Sequence, residues 1–157
     1  DGERLRIPVG PVQRPQNRTF VFARTLGPES KIFAVRLPRP FGLVMEEDRR
    51  RGNVFVADIV EGTNAERFCR VAQLNQNAEV PQKGDVLRGC TSTNIVYKNF
   101  AALSFGSVKP QRTIVMYGAD EQAWPNVMLA LSKGVVADGD VTLVFERAAP
   151  SEAQSEA

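Results

Sequence analysis

Short apolar segments separated by Gly and Pro constrain the fold of this chain more than any other feature. The strongest, residues 53–60, is rich in β-branched and aromatic side chains, which favour strands. Further segments of this kind occupy residues 32–37, 42–47, 84–90, 113–117 and 141–145. The pattern predicts a mainly β fold with two helices, in which five or six short strands form a small, partly open barrel or sandwich.

One segment, from about residue 121 to 133, has the period of a longer helix. Its apolar residues repeat at the three- and four-residue spacing of one helical face, namely Trp124, Val127, Met128 and Leu131. Asp120 is the expected N-cap, and Gly134 is expected to end the helix. A shorter helix is predicted to start near Thr63 or Asn64.

The composition changes along the chain and divides it into three parts. Residues 1–30 are rich in Arg and Pro and predict an extended N-terminal arm. Such an arm can wrap the domain or a partner, or it can contact anionic lipid or acidic protein. Residues 31–147 form the domain, with surface insertions at about 70–82 and 91–112. Residues 148–157 are small, polar and acidic, which predicts a disordered tail.

The chain of 157 residues contains no histidine and only two cysteines. It therefore lacks a Ser-His-Asp or Cys-His nucleophile and any His-ligated metal. Cys69 and Cys90 are too few for a four-cysteine cluster and are expected to be small buried side chains, although a disulfide between them stays open. We therefore expect a non-enzymatic protein without metal or cofactor. A net charge of +2 is too small to indicate a nucleic-acid-binding surface. No segment is long and apolar enough to cross a bilayer.

The segment Phe41-Gly42-Leu43 is a candidate anion site. A Gly between two apolar residues lets the backbone curl, so that consecutive amide groups can point at one carboxylate. Hydrogen bonds to a charged acceptor are stronger than neutral ones. The sequence therefore predicts a carboxylate-binding turn directly before the second strand of the domain.

Three features in this order resemble a PDZ domain. The turn of residues 39–44 comes first, the strand of residues 54–60 with Glu61-Gly62-Thr63-Asn64-Ala65 follows, and Gly84-Asp85-Val86-Leu87 precedes the late helix and the closing strand. The resemblance covers residues 32–147. It implies a protein-interaction module that binds the C-terminal peptide of a partner as an added strand.

The resemblance also implies which residues contact that peptide. The turn and the strand after it would bind the carboxylate and the peptide backbone through Arg39, Phe41, Gly42, Leu43, Val44 and Met45. The late helix would contribute Gln122 and Asn126. Many family members place a histidine there to bind a hydroxyl group of the peptide. Since this chain has none, we expect a ligand with a hydrophobic tail.

A narrower resemblance is to PDZ proteins of plant and algal plastids, several of which sit on thylakoid complexes. This resemblance rests on the Arg-rich arm, the long connection after Thr91, and the sequence segments at residues 41–44 and 112–115. It implies a scaffold or assembly module in the chloroplast, peripheral to the thylakoid membrane and associated with a photosystem or similar complex. The alternatives are a structural subunit whose peptide groove is covered, a regulatory domain of a protease, and a cytoplasmic location.

Overall fold

The computed structural model describes residues 2–76, 79–97 and 110–150. This part of the chain forms eight strands and two helices. In chain order they are β1 (Gly2–Pro11), β2 (Gln16–Ala23), β3 (Lys31–Leu37), β4 (Leu43–Asp48), β5 (Asn53–Ile59), α1 (Asn64–Leu74), β6 (Val86–Tyr97), β7 (Pro110–Gly118), α2 (Trp124–Ser132) and β8 (Val141–Arg147). A single 3₁₀ turn, Val136–Asp138, lies between α2 and β8.

The strands form one curled antiparallel sheet. Six of them lie in the order β2-β1-β7-β6-β5-β4, and β8 joins the sheet at β6 and carries β3 on its other side. The result is an open half-barrel that is mainly β with two helices, consistent with a PDZ-like fold. The predicted fold class is confirmed. Strands β2 and β4 end the six-strand path, and in the described part of the chain each pairs with one neighbour only.

Apolar side chains of both helices and of the curled sheet form the main core. Phe33 and Phe145 face each other across the β3–β8 pair, with ring centroids 6.1 Å apart. Val127 and Leu131 of α2 close this core from one side. A second, smaller cluster contains Ile7, Val9, Phe22, Ile32 and Val144. The two clusters lie on residues that alternate along β8, as expected for a strand buried on both faces.

Most of the predicted N-terminal arm, residues 1–30, is a regular hairpin in the structure. β1 and β2 pair from Gly2 with Ala23 to Val9 with Gln16, and β1 also joins β7 at Gly10 and Pro11. The sequence missed β1 because Pro8 and Pro11 interrupt it. Pro is tolerated near a strand end and where no ladder hydrogen bond is needed.

Both predicted insertions differ from what the structure shows. Residues 70–74, expected in a surface insertion, continue α1 as far as Leu74. Residues 91–97 and 110–112, expected in the second insertion, belong to β6 and β7, which pair from Gly89 with Gly118 to Tyr97 with Pro110. Residues 98–109 of the second predicted insertion and residues 151–157 of the predicted tail lie outside the described residues.

A fully buried carboxylate on β8 links the hairpin to the domain. Glu146 accepts hydrogen bonds from the amides of Thr25 and Leu26 at 2.9 and 3.0 Å, and from the Ser30 hydroxyl at 2.5 Å. It also accepts one from Arg88 Nη1 at 2.7 Å. Burial raises the pKa of Glu146, but the bonds from Ser30 and Thr25 outweigh this effect, and the net pKa is lowered.

Arg88 carries the same network to the start of α2. It lies on β6, is 3% exposed, and binds both carboxylate oxygens of Asp120 at 2.7 and 2.9 Å. Its Nη1 also donates to the Ala23 carbonyl. Asp120 is therefore an ion-pair partner of Arg88. It does not cap α2, whose N-cap position is Ala123.

Both cysteines are free thiols. Cys90 is fully buried, and burial raises the pKa of its thiol to about 12. Cys69 is partly exposed, and burial also raises its pKa. Neither thiol has the thiolate character that a reactive cysteine needs at neutral pH.

Replacing Glu146 by Gln will strongly destabilise the protein. The amide cannot accept all of the bonds that converge on Glu146, and it leaves the buried Arg88 without half of its charge compensation. We expect a loss of about 3–5 kcal/mol in the free energy of unfolding, measured by urea denaturation. Asp58→Asn, in the exposed pair with Lys83, is the control and should change it by less than about 1 kcal/mol. Equal losses in the two variants would contradict this role of Glu146.

Candidate functional site

The turn before β4 has the predicted curled backbone. Gly42 has a φ of +87°, which favours glycine. Its carbonyl accepts a hydrogen bond from the Val60 amide at 2.9 Å, and the Phe41 carbonyl accepts one from the Ala65 amide at 2.8 Å. A Cβ built on Gly42 would lie 2.1 Å from Thr63, so the turn is packed directly against the start of α1.

A side chain at the start of α1 holds the preceding residues of the turn. Asn64 Nδ2 donates to the Pro40 carbonyl at 2.8 Å and to the Pro38 carbonyl at 3.3 Å. Thr63 occupies the N-cap position, as predicted, but its hydroxyl donates to the Val60 carbonyl. The Thr63-Asn64 pair therefore fixes the shape of the turn.

The amides of Phe41 and Gly42 are available to a ligand. Their carbonyls are bound, but within the described residues neither N–H has a hydrogen-bond acceptor. Two adjacent unpaired amides in a turn with a positive-φ glycine form an anion-binding arrangement. The turn at the predicted carboxylate site thus has two adjacent amides without a partner in the described part of the chain, and the carboxylate site itself stays a prediction.

Helix α2 lies along the open edge of β4 and runs antiparallel to it. Arg39, directly before β4, donates from Nη2 to the Lys133 carbonyl at the end of α2, at 2.6 Å. At the other end, the β4–β5 turn shares a cavity with residues 121–123, directly before α2. The backbone of α2 lies close to β6 rather than to β4. We call the space between β4 and α2 the candidate groove, or groove for short.

The groove has an apolar floor. Phe41, Leu43 and Met45, which alternate along the turn and β4, pack against the main core. Trp124 from the start of α2 packs against the same core. Val44, between Leu43 and Met45, is exposed. An extended chain laid on the β4 edge would have these apolar side chains beneath it.

Arg39 is a structural residue as much as a candidate ligand-binding one. Its guanidinium packs against Gly134, where a Cβ would lie 2.3 Å from Nη2. Its Nε is buried and has no partner within the described residues. Burial lowers the pKa of Arg39, and the nearby Asp138 opposes this shift. Arg39 thus holds the end of α2 next to the carboxylate-binding turn.

The two residues predicted to contribute from the helix, Gln122 and Asn126, line the same cavity. Gln122 precedes α2 and accepts a hydrogen bond from the Tyr117 hydroxyl at 3.3 Å. Asn126 lines a cavity of about 300 Å³ between α2, β6 and β7, together with Tyr117 and Leu129. The structure therefore places Asn126 on the flank of α2 that faces β6 and β7.

Met128 is the groove residue that sequence reasoning missed. It lies about 200° around α2 from Asn126, on the opposite flank, and it is 38% exposed. With Trp124 it borders the β4 side of the helix. The period of an apolar helical face does not distinguish a core-facing residue from one at the rim of a groove.

The end of the groove near the β4–β5 turn contains basic and acidic side chains whose charges largely compensate each other. It opens into a cavity of about 600 Å³ lined by Arg49, Arg50 and Arg51. Arg49 pairs with Glu47 at 3.2 Å, and Asp48 accepts the amides of Arg50 and Arg51. The triple arginine is therefore part of a turn that Asp48 organises, as expected for a hairpin loop.

A buried aspartate holds the connection after α2. Asp138 binds Arg112 through two bonds of 2.6 and 2.8 Å and accepts the Val135 amide. The Arg112 guanidinium lowers the pKa of Asp138 to about 2. The connection between α2 and β8 is thus tied to β7.

Among the described residues, no group of three or more His, Cys, Asp or Glu is placed to hold a metal ion. No helix in the described ranges is long and apolar enough to span a bilayer. The curled half-barrel with two helices is consistent with a PDZ-like fold. No protein-family model, curated protein or solved structure matches this chain.

Gly42→Ala will disrupt the turn. The new Cβ meets Thr63 and the backbone keeps a positive φ, so we expect a loss of about 3 kcal/mol in the free energy of unfolding. Gly52→Ala is the matched control, because Gly52 has a φ of +67° but open space around its Cα. It should lose only about 1 kcal/mol in urea denaturation. Similar losses would show that contact with Thr63 does not shape the turn.

Asp138 will contribute to acid sensitivity. Its pKa in the folded protein, about 2, lies below its ordinary value of 3.8, so its stabilisation is complete above about pH 4 and disappears as the pH falls through 2. Asp138→Asn should lose about 1–2 kcal/mol at neutral pH. The difference in unfolding free energy between variant and wild type should shrink between pH 4 and pH 2. A difference that does not change with pH would contradict the ionic role.

Proposed function

We propose that this protein is a non-enzymatic interaction module of PDZ type that binds the free C-terminus of a partner in the groove between β4 and α2. The observation that carries the proposal is the pair of unpartnered amides at Phe41 and Gly42, directly beside the open edge of β4. A carboxylate bound at this turn would place the preceding peptide residues along β4.

The peptide would bind as an added antiparallel strand. Its terminal carboxylate accepts hydrogen bonds from the backbone amides of the turn. Its backbone forms hydrogen bonds with the open edge of β4. Its last side chain then lies over the apolar floor at Phe41 and Leu43, next to Met128. The groove offers no histidine for a hydroxyl group, and its apolar border favours a peptide that ends in a hydrophobic residue.

The carboxylate is the first feature to test. A peptide with a hydrophobic C-terminal residue should bind with micromolar affinity in fluorescence polarisation. The same peptide with an amidated C-terminus should lose binding, because the amide offers the nest a neutral group in place of a charged acceptor. Equal binding of the acid and the amide would refute the carboxylate-nest mechanism.

The position of the ligand is tested by two adjacent helix residues. Met128 and Leu129 are both exposed apolar residues on α2, but Leu129 lines the cavity on the β6–β7 flank. Met128→Glu should weaken binding of the hydrophobic peptide at least tenfold, because it puts a carboxylate beside the ligand's apolar tail. Leu129→Glu is the matched control and should bind as wild type does. If Leu129→Glu weakens binding and Met128→Glu does not, the ligand lies on the other flank.

We propose that the module acts in assembling or maintaining a larger complex, and the plastid PDZ resemblance makes a thylakoid complex the first candidate. The hairpin of residues 2–23 supports attachment to a larger assembly, because it extends the sheet beyond the domain. Affinity purification of the native protein tests this setting through the proteins that accompany it. Recovery as a monomer alone would contradict it, and recovery with a protease would favour the regulatory-domain alternative.

A further inference from the structure

We propose that the open edge of β2 is a second binding surface, which takes an acidic extended segment of a partner protein as an added strand. It lies at the opposite end of the six-strand path from the β4 groove. The proposal does not depend on the function of that groove. Three observations carry it: an open strand edge, a segregated positive charge, and two chemically different faces.

The edge is long and regular. β2 runs for eight residues without a proline or a bulge, and in the described part of the chain it pairs only with β1. An unpaired strand edge presents a row of backbone donors and acceptors that another extended chain can bind. Proteins that leave such an edge unused usually interrupt it or place charges on it, and here Arg18 is the one charged residue of β2.

The charge around this edge is strongly segregated. The hairpin, residues 2–23, contains four arginines and one glutamate, a net charge of +3. Residues 1–30, which also include Asp1, Arg24 and Glu29, carry +2, which is the whole net charge of the chain. Glu3 is already paired with Arg24 at 2.8 Å. The remaining cations, Arg4, Arg6, Arg14 and Arg18, are all exposed. Such a surface attracts an acidic partner and opposes pairing of the hairpin with a second copy of itself.

The two faces of the hairpin differ. On the inner face, Phe20 and Phe22 pack with Leu5 and Ile7 over the second core cluster. Arg18, which pairs with Ile7, lies on this same face nearer the hairpin turn. On the outer face, Arg4 lies opposite Val21 and Arg6 lies opposite Thr19. A strand added to β2 would lie about 10 Å from β1, which long arginine side chains can span.

These faces define the pattern of the partner segment. Residues that point to the inner side beside Phe20 and Phe22 would extend the apolar cluster and should be apolar, whereas a residue beside Arg18 should be acidic or polar. Residues that point to the outer side would meet Arg4 and Arg6 and should be acidic. The expected ligand is therefore an extended segment in which acidic and apolar residues alternate.

An anionic membrane fits this surface less well. The apolar side chains of the hairpin are packed inwards, and within residues 2–28 Val21, at 66% exposure, is the only exposed large apolar side chain. A surface that inserts into a membrane needs a larger apolar face. Electrostatic attraction to anionic lipid headgroups would also make no use of the ordered backbone edge of β2.

The test uses an eight-residue peptide of alternating Glu and Val, acetylated and amidated so that it has no free carboxylate terminus for the β4 groove. We expect it to bind the full chain, and to bind more weakly as the salt concentration rises. Alternating Lys-Val, and a peptide with the four Glu before the four Val, should not bind. Equal binding of the alternating and block Glu peptides would overturn strand addition.

Two protein variants test the location. Arg4→Glu with Arg6→Glu should weaken binding of the Glu-Val peptide at least tenfold. Arg36→Glu with Lys83→Glu makes the same change in net charge at exposed sites away from the hairpin and should leave binding unchanged. Equal weakening by both pairs, or no binding of the alternating peptide to wild type, would overturn the proposal.

A change in the peptide alone avoids any effect of the variants on folding. N-methylation of every Glu, or of every Val, removes the amides on one edge of the peptide. Only one of the two methylated peptides should lose binding, because an added strand uses one edge. Equal effects would overturn the proposal, as would binding only to phosphatidylglycerol vesicles or dimerisation through the hairpin in sedimentation experiments.

Discussion

The bond between Glu146 and Arg88 is the interaction on which the rest of this structure depends. Burying two charges is costly unless their donors and acceptors form hydrogen bonds. Here backbone amides, hydroxyl groups, a carbonyl and a second carboxylate supply those bonds. The carboxylate binds the segment that leaves the hairpin, and the guanidinium binds Ala23 and Asp120. Arg88 also lies over the Phe22 ring, 6.0 Å from its centroid. One network therefore joins the hairpin, β6, β8 and the approach to α2.

The groove depends on how α2 is held at its two ends. Arg88 binds Asp120 before the helix, and Arg39 binds the Lys133 carbonyl after it. Asp138, through Arg112, ties down the connection that follows. Since these anchors are charge-assisted bonds and not contacts with β4, the helix can stand apart from that strand. Polar anchoring at the helix ends, combined with packing on β6, therefore sets the position of α2 relative to β4.

Two of the sheet's edge strands, β4 and β2, suit two kinds of ligand. At β4, a glycine turn with unpaired amides and an apolar floor suits the end of a chain. At β2, exposed arginines on one face of the hairpin and aromatic side chains on the other suit an internal acidic segment of a partner chain. The two surfaces lie at opposite ends of one continuous sheet path and use different chemistry, so one module could hold two partners at the same time.

The sequence by itself determined what depends on local pattern. Short β-rich segments predicted the mainly β fold, the spacing of apolar residues predicted α2, and Gly42 predicted the turn, because each signal lies within a few residues. Only the tertiary structure decided the partners of distant side chains. Glu146 is bound by residues 116 to 121 positions away, and no local pattern distinguishes this buried acid from the exposed end of a strand. For the same reason, the ion-pair role of Asp120, the pairing of β1 and the placement of Asn126 and Met128 on opposite flanks of α2 emerged only when the chain was folded.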